Sequence, residues 1–155
     1  MKWTQPPHLT DEELEALLEE ANLARFCSLN PDGTIHAVPV CYKYENGRIL
    51  INTPIASRKA RNVMSNGTVT ILIDVVGEKL SGYKGAIIYG KAKVKAATLS
   101  EMMQVGEVWM PADKVKAWSK AMMGLTDWAM IIVDPQSTAS FDYAKDEKSA
   151  AAIQE

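Results

Sequence analysis

Cysteine, histidine and phenylalanine are scarce in this chain of 155 residues, which holds two of each. Cys27 and Cys41 stand alone inside apolar stretches, with no CxxC spacing. That excludes a disulfide framework and points to buried free thiols in a reducing compartment. His8 and His36 have no histidine, cysteine or carboxylate at ligand spacing, so no metal site is expected. The chain also lacks a GxSxG elbow, a Ser-His-Asp arrangement, a GxGxxG turn and a P-loop, which removes the common hydrolase and nucleotide-binding signatures. No apolar run approaches the ~18 residues of a membrane-spanning helix, and the first residues carry no signal-peptide core. A cytoplasmic protein with no membrane association is expected. The net charge of −2 gives no basic excess for nucleic acid.

A hydrophobic content of 47% and a charged content of 23% are globular values. They fit one domain over 1–155, with loose tails at 1–8 and 145–155. Thr10 and Glu13 form a capping box ahead of Leu14, Leu17, Leu18 and Ala21, whose spacing puts one apolar face on a helix. Three strands are expected next, at 25–29, 34–44 and 48–53. The turn Asn30-Pro31-Asp32-Gly33 and the hairpin signal Asn46-Gly47 separate them. The hairpin is expected to pair 37–42 with 49–53. A helix at 57–66, strands at 68–76 and 85–97, helices at 98–108 and 112–123, and strands at 128–133 and 138–143 complete the reading. Gly90 inside a strand predicts a bulge or a close backbone approach. Met102, Met103, Met122 and Met123 with Trp109 and Trp118 read as core or dimer packing in preference to a pocket lining. Short antiparallel strands with few helices imply a small α+β barrel.

Chemistry concentrates in Ser57-Arg58-Lys59-Ala60-Arg61-Asn62. A hydroxyl residue at a helix start, followed at once by two cations, makes an anion site, because the free N–H groups and the helix dipole add to the side-chain charges. A serine N-cap with solvated cations gives the same pattern without a ligand. The strand before it, with Asn52 and Thr53, delivers the chain to this point, and the apolar strand Val38-Pro39-Val40-Cys41-Tyr42 lies close in sequence. Pro39 lacks an N–H and favours a strand edge, where a ligand can meet backbone groups. A flat apolar molecule carrying a phosphate fits this combination, and flavin mononucleotide (FMN) has that shape.

The order of features resembles the pyridoxamine-phosphate-oxidase-like flavin-binding split-barrel superfamily. The resemblance runs through Leu23 to Leu29, Asp32-Gly33, Val38-Pro39-Val40, Gly47 to Ile51, Thr53, the Ser57 to Asn62 element and Gly90-Lys91-Ala92. It implies a six-stranded antiparallel split β-barrel with flanking helices, a homodimer, and cofactors in grooves at the dimer interface. It also implies that Val38, Pro39, Val40, Cys41 and Tyr42 line the isoalloxazine ring. Asn52 and Thr53 would approach the ring and ribityl region, and Ser57, Arg58 and Lys59 would hold the phosphate. Lys59 with Asn62 is similar to members that bind the deazaflavin coenzyme F-420, so FMN and the deazaflavin both stand as cofactors. The chain has no late histidine of the kind that the B6 oxidase and the haem-binding members use. The resemblance therefore implies a flavin or deazaflavin reductase acting on a small organic substrate. A cofactor carrier without turnover is the alternative, and oxidation of pyridoxamine phosphate is not expected. No side chain reads as a catalytic acid or base.

Overall fold

The structure is a computed structural model, and it describes residues 6–77 and 82–152. Helix α1 (Asp11–Glu20) starts at the expected capping box: the Thr10 side chain accepts from the Glu13 N–H, and Glu13 accepts from the Thr10 N–H. Its apolar face buries Leu17 and Leu18. Seven strands follow: β1 (Leu23–Leu29), β2 (Ile35–Cys41), β3 (Lys43–Glu45), β4 (Arg48–Pro54), β5 (Thr68–Val75), β6 (Lys84–Ala96) and β7 (Trp128–Asp142). Helix α2 (Arg58–Ser65) joins β4 to β5, and helices α3 (Leu99–Gly106) and α4 (Ala112–Leu125) join β6 to β7. A short helix, α5 (Glu147–Ala152), ends the described chain.

All seven strands form one antiparallel sheet in the order β2-β1-β5-β6-β7-β4-β3. Alternate side chains point into a single core, as the two-residue period of a strand requires. Ala24 and Phe26 of β1, Ile49 and Ile51 of β4, Val69, Ile71 and Ile73 of β5, and Ile131 and Val133 of β7 are all buried there. The sheet curls. Four strands separate β2 from β4 in the sheet order, yet Pro39, Val40 and Cys41 line the same cavity as Asn52, Thr53 and Pro54.

The α+β architecture agrees with the sequence reading, and three details correct it. The count is seven strands, not six, because the expected strand at 34–44 breaks at Tyr42. Burial takes that ring out of the strand: its hydroxyl donates to the Leu18 carbonyl at 2.9 Å and its N–H to the Asn22 carbonyl. The Asn46-Gly47 turn, with φ of 52° and 75°, therefore pairs only the three residues of β3 with β4, while β2 pairs with β1. Lastly, 128–133 and 138–143 form one strand, with no turn at Pro135. Pro135 lies beyond the stretch of β7 that β4 covers, so one edge of the strand is free there. A register shift at Tyr89/Gly90 takes up the mismatch, as the bulge signal predicted. A Cβ on Gly90 would lie 2.8 Å from the Val133 Cγ1 atom, so only glycine lets the strands approach.

Pro7, in the expected N-terminal tail, and Leu9, just after that tail, are tied to the end of β7. The Pro7 carbonyl accepts from the Asp142 N–H at 2.8 Å, and the Leu9 N–H donates to the Ser140 hydroxyl at 3.0 Å. Residues 1–5 and 153–155 of the expected tails lie outside the described residues. No helix among the described residues is long and apolar enough to cross a membrane.

Candidate functional site

Helix α2 begins where strand β4 ends. Ser57 is its N-cap: the hydroxyl accepts from the Ala60 N–H at 3.3 Å and from the Thr53 hydroxyl at 3.0 Å. Asn62 and Val63 turn inward. Asn62 is 2% exposed, and its amide donates to the Ser28 hydroxyl at 3.1 Å and to Asn30 Oδ1 at 3.0 Å. These bonds fix α2 against β1 and the following turn. Arg58 and Arg61 are exposed, whereas Lys59 is half-buried.

A cavity of about 310 Å³ opens beside this helix. Strand β2 gives it Pro39, Val40 and Cys41; β4 gives Asn52, Thr53 and Pro54; α2 gives Lys59. The remaining lining comes from Val105 and Gly106 of α3, Trp109 just after it, Trp118 of α4 and Trp128 of β7. Its volume is at the lower end of those of small-molecule sites, and a mostly apolar lining with few polar groups is typical of them.

Lys59 has no ion-pair or hydrogen-bond partner among the described residues, and burial pushes its ammonium below the usual lysine range. A half-buried cation in an apolar cavity is costly to leave without a counter-charge. Asn52 spends its amide N–H groups on the carbonyls of Glu101 and Met102, both at 3.3 Å. Reversing the amide would set oxygen against two carbonyls, so the orientation is fixed. Its Oδ1 atom is buried and has no partner among the described residues. Unsatisfied acceptors of this kind are few in folded proteins and call for an explanation. Burial raises the Cys41 thiol, which keeps it neutral and poorly nucleophilic.

Six of the eleven residues singled out in the sequence therefore line one cavity: Pro39, Val40, Cys41, Asn52, Thr53 and Lys59. Ser57 stands behind them as the cap. Val38 and Tyr42 do not line it. Val38 packs on the core, and Tyr42, just past the end of β2, is 1% exposed with its hydroxyl bound to the Leu18 carbonyl. Arg58 lies near the Asp32 carboxylate, which the Thr34 hydroxyl and N–H chiefly hold below its ordinary range and the Arg58 charge lowers slightly. Asn62 faces the core.

The sequence reading took Trp109 and Trp118 as core or dimer packing in preference to a pocket lining, and the structure corrects this. Trp109 and Trp118 meet edge to face at 4.9 Å, and Trp118 meets Trp128 at 6.0 Å. These three belong to the cavity rather than to the core. The only local sign was the density of tryptophan itself; their meeting depends on the α3–α4 turn and on the Pro54–Trp128 register of β4 with β7.

Comparison with known proteins decides the family. The sequence model of the pyridoxamine 5'-phosphate oxidase family matches residues 10–143. The chain belongs to that family. No curated protein matches the chain. Among solved structures, a conserved hypothetical protein from Mycobacterium tuberculosis is similar with a TM-score of 0.77 at 20% identity, over 94% of this chain and 92% of that one. The heme storage protein HutZ from Vibrio cholerae has a TM-score of 0.68 at 15% identity, over 86% and 97% of the two chains. An F420 reductase has a TM-score of 0.65 at 17% identity, over 84% and 98%. At these identities the likeness establishes the oxidase-family fold, whose members include oxidoreductases and storage proteins alike.

Proposed function

We propose that this member of the oxidase family is a flavin- or deazaflavin-dependent oxidoreductase that reduces a small organic substrate, with FMN as the first cofactor to test. The observation that carries the reading is the unpartnered Lys59 in the same cavity as Pro39–Cys41, Asn52 and Thr53. Lys59 would hold the phosphate, and Arg58, exposed at the first turn of α2, would add a second charge at its rim. Asn52 Oδ1, buried without a partner, fits an N–H of a ring system. The bound cofactor would supply hydride or electron transfer. The chain would bind and orient it, keep water from the apolar lining and leave Cys41 neutral. The F420 reductase among the structural relatives supports a redox role. The heme storage relative is no guide to the ligand here, because neither His8 nor His36 lines the cavity.

The cleanest test is titration of the purified protein with FMN and with the deazaflavin, followed by absorbance. Reduction of an acceptor by NAD(P)H or by reduced deazaflavin then separates an enzyme from a carrier. Binding of neither cofactor at micromolar concentration would refute the reading.

A second copy of the chain is part of it. Register sets Ile35 of β2 opposite Leu29 of β1 on the outward face, and Leu72 of β5 opposite Ile87 of β6. Ile35 is 70% exposed and Tyr89 47%. Exposed apolar side chains on a sheet face, here interrupted by the Arg25–Asp74 pair, suit an interface with an apolar core and polar neighbours. Pro39 and Cys41 belong to the outward phase of the same strand, so a partner covering this face would also wall the cavity. Light scattering is expected to report a dimer of 17.0 kDa chains; a monomer at micromolar concentration with cofactor present would sink the interfacial site.

Turnover of pyridoxamine phosphate is not expected, despite the family's description. That substrate brings its own phosphate and needs a second cationic clamp, for which arginine is the usual choice. The chain has four arginines: Arg25 is paired with Asp74, Arg48 with Asp134 at 2.9 Å, and Arg58 and Arg61 lie on α2. FMN-loaded protein should form negligible pyridoxal phosphate and hydrogen peroxide. Efficient turnover with a micromolar Michaelis constant would overturn this.

A further inference from the structure

The two helices between β6 and β7 are built apart from the barrel. Helix α4 packs chiefly on α3, and α3 packs on α4 and more lightly on β4. Their buried apolar residues, Met102, Val105 and Val115, lie outside the contiguous core that Ile49, Ile71 and Ile131 share. What ties the pair to the barrel is mostly polar. The Asn52 amide donates to the Glu101 and Met102 carbonyls, both at 3.3 Å. Gln104 donates to the Glu45 carboxylate on β3, and Lys95 of β6 donates to Glu101. Sparse apolar contact and partly exposed hydrogen bonds mark a unit that opens before the rest of a structure does.

The base of this unit is fixed. The Ala97 N–H donates to the Trp128 carbonyl and the Ile55 N–H to the Asp127 carbonyl, both at 2.9 Å. The Trp128 indole N–H holds the Met122 carbonyl at 3.0 Å beside the same base. Rotation is left to Thr98 and Thr126, the caps at the two ends. Hinges commonly lie at such element-terminal residues. The walls of the cavity divide along the same line. Val105, Gly106, Trp109 and Trp118 come with the helices, and the rest of the lining, Lys59 and Asn52 included, stays with the barrel. A cavity of about 310 Å³ is at the lower end for small-molecule sites, so a guest that fills it needs the two walls apart to pass.

We propose that α3 and α4 move together as a lid, hinged at Thr98 and Thr126 and latched by Asn52 and the Gln104–Glu45 hydrogen bond, and that a guest enters and leaves the cavity only when this lid opens. Asn52 lines the cavity as well as holding α3, so one side chain serves both the guest and the latch. The lid does not depend on what the guest is. Reading its effect on cofactor kinetics rests on the cavity being the cofactor site.

Native-state hydrogen exchange of the cofactor-free protein tests the lid directly. Amides of α3 and α4 are expected to exchange through one shared opening, faster than those of β5 and β6. Gln104→Ala removes a latch outside the cavity. It should speed exchange about fivefold across both helices, the size of one net hydrogen bond, and leave β5 and β6 unchanged. Stopped-flow mixing with FMN or the deazaflavin, followed by tryptophan fluorescence, tests the gate. In Gln104→Ala association and dissociation should both quicken about fivefold with Kd unchanged, because the latch sets how often the lid opens and not what the cavity holds. Glu45→Ala breaks the same bond from the barrel side and should reproduce both effects, also where Gln104→Ala does not fold. Exchange in α3 and α4 no faster than in β5 and β6, a rise confined to the residues around 104, or unchanged binding rates would overturn the proposal. Binding of neither cofactor would refute the cofactor reading alone, and the exchange pattern would still decide the lid.

Discussion

Lys59→Ala is expected to weaken FMN or deazaflavin binding by about ten- to a hundred-fold, and Arg58→Ala by less. A hydrogen bond to a charged group contributes about 1.5–3 kcal/mol, which is that range in affinity. The two cations flank the same helix start, but they differ in surroundings. Arg58 is exposed and lies near Asp32, so solvent and a carboxylate already screen it. Lys59 lines the cavity, has no partner and is desolvated enough for its ammonium to be lowered. Charge in such surroundings interacts more strongly with an anion than it does in water. A pH dependence follows. Because burial lowers the Lys59 ammonium, the group loses its proton at a lower pH than an ordinary lysine, and affinity for the phosphate should begin to fall there. Bound phosphate favours the charged form, so the complex should take up protons in that range. Cofactor titrations across alkaline pH on wild type and Lys59→Ala check this; the variant should lose the Lys59 part of the dependence. Equal affinity in wild type and Lys59→Ala would remove the phosphate site from this cavity.

Asn62→Ala is expected to cost about 2–3 kcal/mol of folding stability, because it removes one buried and one part-buried hydrogen bond and leaves the Ser28 hydroxyl without that partner. For a chain of this size each kcal/mol corresponds to about 2–4 °C in Tm, so the melting point should fall by several degrees. The resemblance to deazaflavin-binding members implied a ligand role for Asn62. Its 2% exposure and its bonds to β1 and the next turn give it a different one: it holds α2 where Lys59 can face the cavity. Cofactor affinity should then fall only as a consequence of a displaced helix. Denaturant unfolding without cofactor separates the two roles. Unchanged stability with lost cofactor binding would return Asn62 to the ligands.

Much of the architecture was legible in local signals. The Thr10–Glu13 capping box, the Ser57 cap, the Asn46-Gly47 turn and the Gly90 bulge all act over a few residues, and all appear where the sequence put them. The errors were tertiary. Nothing local distinguishes a strand that runs from 34 to 44 from two strands broken at Tyr42; the break depends on a pocket beneath α1 that accepts the ring and on the Leu18 carbonyl. Pro135 reads as a turn until β6 supplies a partner along the whole of β7.

The candidate site divides in the same way. The sequence by itself determined an anion-suited helix start at Ser57 to Lys59 and an apolar strand at 38–42, since capping, charge and alternation are properties of neighbouring residues. It could not determine which residues of that strand meet the helix. The curl of the sheet decided that, bringing Pro39, Val40 and Cys41 of β2 to Asn52, Thr53 and Pro54 of β4, while Val38 and Tyr42 pack in the core. Only the tertiary structure assembled Trp109, Trp118 and Trp128. They come from a loop, a helix and a strand, and their contact is set by how α3 and α4 pack between β6 and β7, a long-range arrangement that no spacing in the chain encodes.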